Sequence, residues 1–280
     1  MSFALGLAQA GYPHYMTPLE QAELFAQRAH EHGVTLLVFP ENLMCPRELT
    51  TTELLQLAEP LDGEFAQGLC GIARTNALWI VFTMFQTNPA GGPPHNTAVV
   101  VDSAGHIRGS YCKCHLYNAH GVCESDRMGY GNELCHAIRT PFCTIGLGIC
   151  YDLRFPEVAR TLALQGCDLL IFPAAWHDGP NKPEHWETLL RARAIENECF
   201  VAGVCHAGER YVGISHVFDP LGNPLVQRSA TSDLSVCDID LQAADAARDA
   251  MPIFAHRRPH LYGALASRAP NVLRDGLQYE

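Results

Sequence analysis

The feature that most constrains this chain is an order of elements that occurs twice. In the first half, Phe3–Gln9 reads as a short buried strand. A helix follows, with Thr17 as N-cap, Pro18 at the first helical position and Glu20 completing a capping box. Its apolar residues Leu19, Ala22, Phe25, Ala26 and Ala29 recur at helical spacing, and Gly33 is placed to end it. Val34–Phe39 reads as a strand, Phe65–Thr75 as a helix and Leu78–Phe85 as a strand. Asn96–Val101 and Ile107–Cys112 then flank the turn Asp102-Ser103-Ala104-Gly105. The second half repeats the succession: strand Thr144–Cys150, helix Pro156–Gln165, strand Leu169–Phe172, helix Glu184–Asn197 and strand Phe200–Cys205. Gly213–Phe218 and Pro224–Arg228 flank a second Asp-x-x-Gly turn, Asp219-Pro220-Leu221-Gly222, and Leu234–Ile239 adds one more strand. Such a repeat predicts an α/β fold of two similar halves packed together, sheets inside and helices outside.

No low-complexity linker divides the halves, so residues 1–280 are expected to form a single domain. After about residue 250 the chain turns irregular and rich in His, Arg and Pro, as expected of an arm that docks elsewhere, for instance on a second subunit.

Composition narrows the function. The chain is 48% apolar and 18% charged, ordinary for a globular protein with a sizeable core. Its net charge of −11 argues against a nucleic-acid or anionic-membrane partner, yet leaves room for a local basic pocket. The N-terminus MSFALGLAQAGYPHY lacks a secretory signal, and no stretch approaches the roughly 20 apolar residues of a membrane span. A cytoplasmic location with free thiols is therefore expected for the 12 cysteines. Cys112-Lys113-Cys114-His115 lacks the Cys-x-x-Cys spacing of a zinc site and reads as alternating strand residues, so no metal is expected. Cys70, Cys167, Cys199, Cys205 and Cys237 lie in apolar periodic segments and read as core.

Three segments carry chemistry. Gly148-Ile149-Cys150-Tyr151-Asp152-Leu153-Arg154-Phe155-Pro156 places Cys150 where a strand meets a helix. There helix N–H groups favour a thiolate, and the Tyr151 backbone N–H could donate to an oxyanion. By position alone a structural thiol is equally consistent. Glu41 follows Phe39-Pro40 at a strand end, and Lys113 ends a hairpin strand; each alone is an ordinary surface residue. Together they form a working set. A thiol needs a base, an attacked amide carbonyl needs a positive charge, and a departing amine needs a proton.

The chain resembles the nitrilase, or carbon–nitrogen hydrolase, superfamily over nearly its whole length. The resemblance rests on Phe39-Pro40-Glu41-Asn42, Lys113-Cys114-His115-Leu116 and Gly148-Ile149-Cys150-Tyr151-Asp152-Leu153-Arg154-Phe155-Pro156-Glu157, in that order. It implies a four-layer α-β-β-α sandwich that forms a homodimer or higher oligomer. It also implies a Glu–Lys–Cys triad on Glu41, Lys113 and Cys150, with Glu124 positioning the lysine. The implied reaction hydrolyses a small amide to acid and ammonia through a thioester, with no cofactor. Two further segments, 185–197 and 252–262, are similar to the deaminated glutathione amidase and omega-amidase branch. The chain departs from that branch in a short loop at 116–123, in Met128-Gly129-Tyr130-Gly131 and in Trp176-His177-Asp178, all bordering the implied substrate pocket.

Around this set, Arg154 reads either as the partner of a substrate carboxylate or as a structural pair with Glu157. Trp176, His177 and Tyr117 are candidates for the pocket wall. Asp152 reads as a hydrogen-bonding support of the cysteine turn, His115 as a packed neighbour, and Arg191 and Arg193 as structural. The triad does not separate an amidase from an N-carbamoyl-amide hydrolase or a nitrilase. A fold-retaining scaffold or redox-responsive protein would be expected to have lost part of the set.

Overall fold

The computed structural model describes residues 1–11, 15–45, 49–229 and 231–263. The end of the expected C-terminal arm therefore lies outside the described residues. The chain forms β1 (Ser2–Gln9), α1 (Pro18–Glu31), β2 (Leu36–Val38), α2 (Thr51–Leu57), α3 (Glu64–Thr75), β3 (Trp79–Gln86), β4 (His95–Val101) and β5 (Ile107–Cys112). A small hairpin, β6 (Asn118–Ala119) and β7 (Val122–Cys123), follows. The second half holds β8 (Ile138–Arg139), β9 (Thr144–Leu147), α4 (Pro156–Leu164), β10 (Leu169–Ala174), α5 (Lys182–Asn197), β11 (Phe200–Cys205), β12 (Ile214–Phe218) and β13 (Pro224–Ser229). β14 (Asp233–Asp240) and α6 (Leu241–Ala250) come next.

Two six-stranded sheets result, ordered β14-β1-β2-β3-β4-β5 and β13-β12-β11-β10-β9-β8. Each has the same pattern. Three central strands run parallel, two antiparallel strands follow on one side, and one antiparallel strand closes the other. Side chains alternate across each strand. Leu5, Leu7, Leu36 and Val38 point into the core shared with the second sheet, where Ile145, Leu147, Leu169 and Ile171 lie. Ala8 and Leu37 point outward, into the cluster under α1 and α3. α4 and α5 cover the second sheet, and with them the four-layer α-β-β-α sandwich is complete. On α5, Trp186 and Leu190 are fully buried, and truncating either to alanine costs roughly 3–5 kcal/mol.

The two Asp-x-x-Gly turns are built alike. Gly105 N–H donates to the Asp102 carbonyl and Gly222 N–H to that of Asp219, both at 2.9 Å. Asp102 Oδ1 accepts from Ala104 and His106 N–H, and Asp219 Oδ1 from Leu221 and Asn223 N–H. α1 carries the expected capping box between Thr17 and Glu20.

Three readings of the sequence need correction. β9 ends at Leu147 rather than at Cys150, because Ile149 N–H leaves the ladder for Asp152 Oδ2 (2.9 Å). β2 is limited to Leu36–Val38 instead of spanning Val34–Phe39, although Thr35 and Phe39 still donate to Ala4 and Val81 carbonyls. α2, with its capping box between Thr50 and Glu53, has no counterpart among the predicted elements.

Candidate active site

Glu41 lies just beyond β2, its side chain only 4% exposed. Its Oε1 accepts from Lys113 Nζ and from Asn96 Nδ2, both at 2.8 Å, and its Oε2 accepts from the Ala175 N–H at 2.7 Å. Burial alone would raise its pKa. The Lys113 ammonium, these hydrogen bonds and one from the Cys150 thiol outweigh that and hold the carboxyl below its usual range. Glu41 is thus an ionised carboxylate.

Lys113 follows β5 and is equally buried. Its Nζ also donates to both oxygens of Glu124 (3.0 and 2.9 Å). Burial works against its charge, but the two carboxylates reverse this and fix it as an ammonium, its pKa well above the ordinary value. Glu124 opens a 3-10 turn, and its Oε2 accepts the Tyr117 N–H at 2.6 Å. The segment 128–131 returns alongside: Gly131 N–H donates to the Lys113 carbonyl (2.8 Å), and a Cβ there would lie 2.1 Å from the Cys112 carbonyl oxygen. Glycine is required at that approach.

Cys150 opens the 3-10 turn Cys150–Arg154 at φ +45°, a left-handed conformation costly for a residue with a Cβ. Asp152, fully buried, holds it there. Oδ2 accepts from Ile149 N–H and the Tyr111 hydroxyl, both at 2.9 Å; Oδ1 accepts from the His115 N–H at 3.1 Å and bonds its Nδ1 at 2.7 Å. One carboxylate therefore fastens the cysteine turn to the segment that follows Lys113. His115 stacks on Phe155 (3.7 Å between centroids), and Arg193 donates to the Leu153 carbonyl from α5. The Tyr151 N–H makes no hydrogen bond within the described residues. Burial pushes the Cys150 thiol well above its ordinary pKa; Glu41 adds to the rise and Lys113 opposes it. The resting pair is accordingly a neutral thiol beside an ionised base.

These groups open into a cavity of about 940 Å³, counting its solvent-open part. The residues expected to react or to bind substrate all line it: Glu41, Lys113, Tyr117, Glu124, Cys150, Tyr151, Arg154, Trp176 and His177; the supporting residues Asp152, His115, Arg191 and Arg193 lie outside its lining. Arg154 makes no ion pair with Glu157; its guanidinium lies 4.7 Å from the Trp176 ring centroid. The expected core cysteines Cys70, Cys167, Cys199 and Cys205 are buried, Cys237 is only partly so, and all twelve cysteines are free. Sequence reasoning missed Asn96, the Ala175 N–H, Arg127, Lys182 and Tyr211. None sits in a motif beside the reactive residues, and only the folded chain brings them there.

Comparison with known proteins agrees with this geometry. The sequence profile of the carbon–nitrogen hydrolase family matches residues 6–249. The chain is 34% identical over 237 residues to the deaminated glutathione amidase of Escherichia coli O157:H7, covering 85% of this chain and 89% of that one. A carbon–nitrogen hydrolase from Helicobacter pylori G27 superposes with a TM-score of 0.86 at 26% identity, covering 95% and 99% of the two chains. A mutant amidase from Nesterenkonia sp. AN1, in complex with acrylamide, gives a TM-score of 0.76 at 27% identity, covering 95% and 97%. The chain thus belongs to the carbon–nitrogen hydrolase family within the nitrilase superfamily, and is a hydrolase of carbon–nitrogen bonds other than peptide bonds.

Proposed function

We propose that the chain is a cysteine-dependent amidase that hydrolyses a small, carboxylate-bearing amide, working as one catalytic domain because its two halves each supply part of the site. Glu41 takes the thiol proton as Cys150 Sγ attacks the amide carbon. Negative charge then develops on the carbonyl oxygen, offset by the Lys113 ammonium and the Tyr151 N–H. The protonated Glu41 returns its proton to the departing amine, leaving a thioester on Cys150. Glu41 next activates a water, which attacks the thioester and releases the acid. Glu124 keeps Lys113 in place throughout. Unlike a pre-formed thiolate, this resting pair generates its nucleophile only as the bond forms.

The observation that carries the substrate class is charge. The cavity is lined by four basic residues, Lys113, Arg127, Arg154 and Lys182, against two acidic ones, Glu41 and Glu124. The chain as a whole carries −11. A positive cavity in a negative protein favours an anionic substrate. The relative named for deaminated glutathione and the acrylamide-bound amidase both support an amide.

The test is release of ammonia from succinamic acid, butyramide, an N-carbamoyl amino acid and an aliphatic nitrile, with Cys150→Ala as the control. Preference for succinamic acid over butyramide is expected. Turnover confined to the carbamoyl compound or the nitrile would reverse the assignment, and activity that survives Cys150→Ala would remove the mechanism.

A further inference from the structure

Two cations in the cavity share one aromatic ring. Arg154 reaches the Trp176 indole from the end of the cysteine turn, with its guanidinium carbon 4.7 Å from the ring centroid. Lys182 reaches it from the start of α5, with Nζ 5.8 Å from the same ring and 5.2 Å from that of Tyr117. Neither makes an ion pair with a described residue. Lys182 Nζ has one hydrogen bond, a long 3.3 Å one to the Tyr117 hydroxyl. Hydrogen bonds and packing tie the surrounding chain together. Trp176 Nε1–H donates to the Lys182 carbonyl (3.1 Å), Val212 N–H donates to the Trp176 carbonyl (3.0 Å), and Trp176 packs on buried Trp186 at 5.1 Å.

Ring faces attract both cations but do not neutralise them. Two like charges near one indole inside a cavity repel each other, and an anion bound beside them offsets that repulsion. A carboxylate suits such a site, since it accepts charge-assisted hydrogen bonds from a guanidinium and from an ammonium alike.

We infer that Lys182 is a specificity-determining residue: with Arg154, beside Trp176, it forms a two-cation seat for the carboxylate of the amide substrate. This rests on the proposed amidase reading and adds to it a residue no catalytic motif marks. Tyr117 couples the seat to the reactive groups, because its N–H donates to Glu124, which holds Lys113. Filling the seat therefore engages the same loop that positions the oxyanion cation.

The experiment compares kcat/KM for succinamic acid with that for butyramide, its neutral isostere, in the wild type and in Lys182→Met, Lys182→Arg and Lys182→Glu. Losing one charge-assisted contact is expected to lower the acid-to-neutral ratio roughly ten- to a hundredfold in Lys182→Met, mainly through KM. Lys182→Arg is expected to restore most of the ratio, which a merely structural role for the methylene stem would not predict. Lys182→Glu is expected to favour 4-aminobutanamide, whose ammonium replaces the carboxylate. A ratio that stays the same in Lys182→Met, or activities that fall equally on both amides, would overturn the assignment of Lys182 while leaving the amidase reading intact. A wild type that turns over both amides with no preference for succinamic acid would overturn the seat and the anionic substrate class, and a wild type that turns over neither would overturn the amidase reading as well.

Discussion

The two halves share one framework and divide the chemistry between them. Strand register shows how. Leu5 pairs with Leu36 and Leu7 with Val38 in the first sheet; Ile145 pairs with Leu169 and Leu147 with Ile171 in the second. Counting on from these pairs, Phe39-Pro40-Glu41 corresponds to Phe172-Pro173-Ala174, and Ala10 to Cys150. At the ends of the matched parallel strands each half places one side chain of the proposed trio, Glu41 or Cys150, and the other half has alanine at the matching point. The second half answers Glu41 with a backbone group instead, the Ala175 N–H. Repetition supplied the scaffold, and the asymmetry at two positions sets the proposed nucleophile opposite the proposed base.

That division can be broken most severely at Cys150. Cys150→Ala is expected to cut turnover by about a thousandfold or more while melting close to the wild type, since only a thiol is lost. Adding Ala10→Cys should not rescue it. The Ala10 carbonyl is held by the Ala207 N–H (2.9 Å) and His206, and among the described residues no carboxylate accepts a hydrogen bond there as Asp152 does beside Cys150. Rescue, read as ammonia release, would mean that the halves are interchangeable.

Next in size is Glu41→Gln, expected to cost about 10²–10⁴-fold in kcat by removing the base. Lys113→Ala should be as inactive and also less stable by roughly 3–5 kcal/mol in urea unfolding, because it leaves Glu41 and Glu124 buried without their counter-charge. A Lys113→Ala protein of wild-type stability would show that the two carboxylates do not depend on it.

The halves should also differ in acid. Burial pushes the pKa of His206 and of His216, both in the second half, from 6.5 down to about 4. Each is buried neutral, so its stabilisation is complete above pH 6.5 and is lost as pH falls toward 4. Each unit is about 1.4 kcal/mol, so roughly 3 kcal/mol per histidine disappears across that window. Unfolding midpoints between pH 7 and 4 should fall, and less steeply in His216→Gln. An unchanged slope in that variant would remove His216 from the account.

The smallest effect concerns the matched turns. Asp102→Ala and Asp219→Ala should each cost about 1–2 kcal/mol, having equivalent hydrogen bonds to lose. Only Asp102→Ala should also lower kcat, by a few fold, because its hairpin leads into Lys113. Equal kinetics in the two variants would refute that link.

Much of this was legible in the sequence because periodicity and turn chemistry are local. The strand order, the capping box at Thr17 and the Asp-x-x-Gly turns all appear in the residues themselves. The left-handed Cys150 was not legible: Asp152 could be read as a support of the turn, but its anchoring by Tyr111 and His115 comes from a distant stretch of chain. α2 was hidden by its short apolar pattern, and Lys182 by its place at a helix start far from any motif. The reactive trio could be read from motifs, but its hydrogen bonds to Asn96 and Ala175 follow from tertiary packing alone.

One pairing also sets a schedule for synthesis. β14 closes the first sheet by pairing with all of β1, from Ser2 opposite Asp240 to Gln9 opposite Asp233. As the chain leaves the ribosome, β1 is an open edge until β14 arrives, more than two hundred residues later. The nascent first half must therefore keep an apolar, unpaired edge from other chains while those residues are made, even after β9 has found β10 in the second sheet.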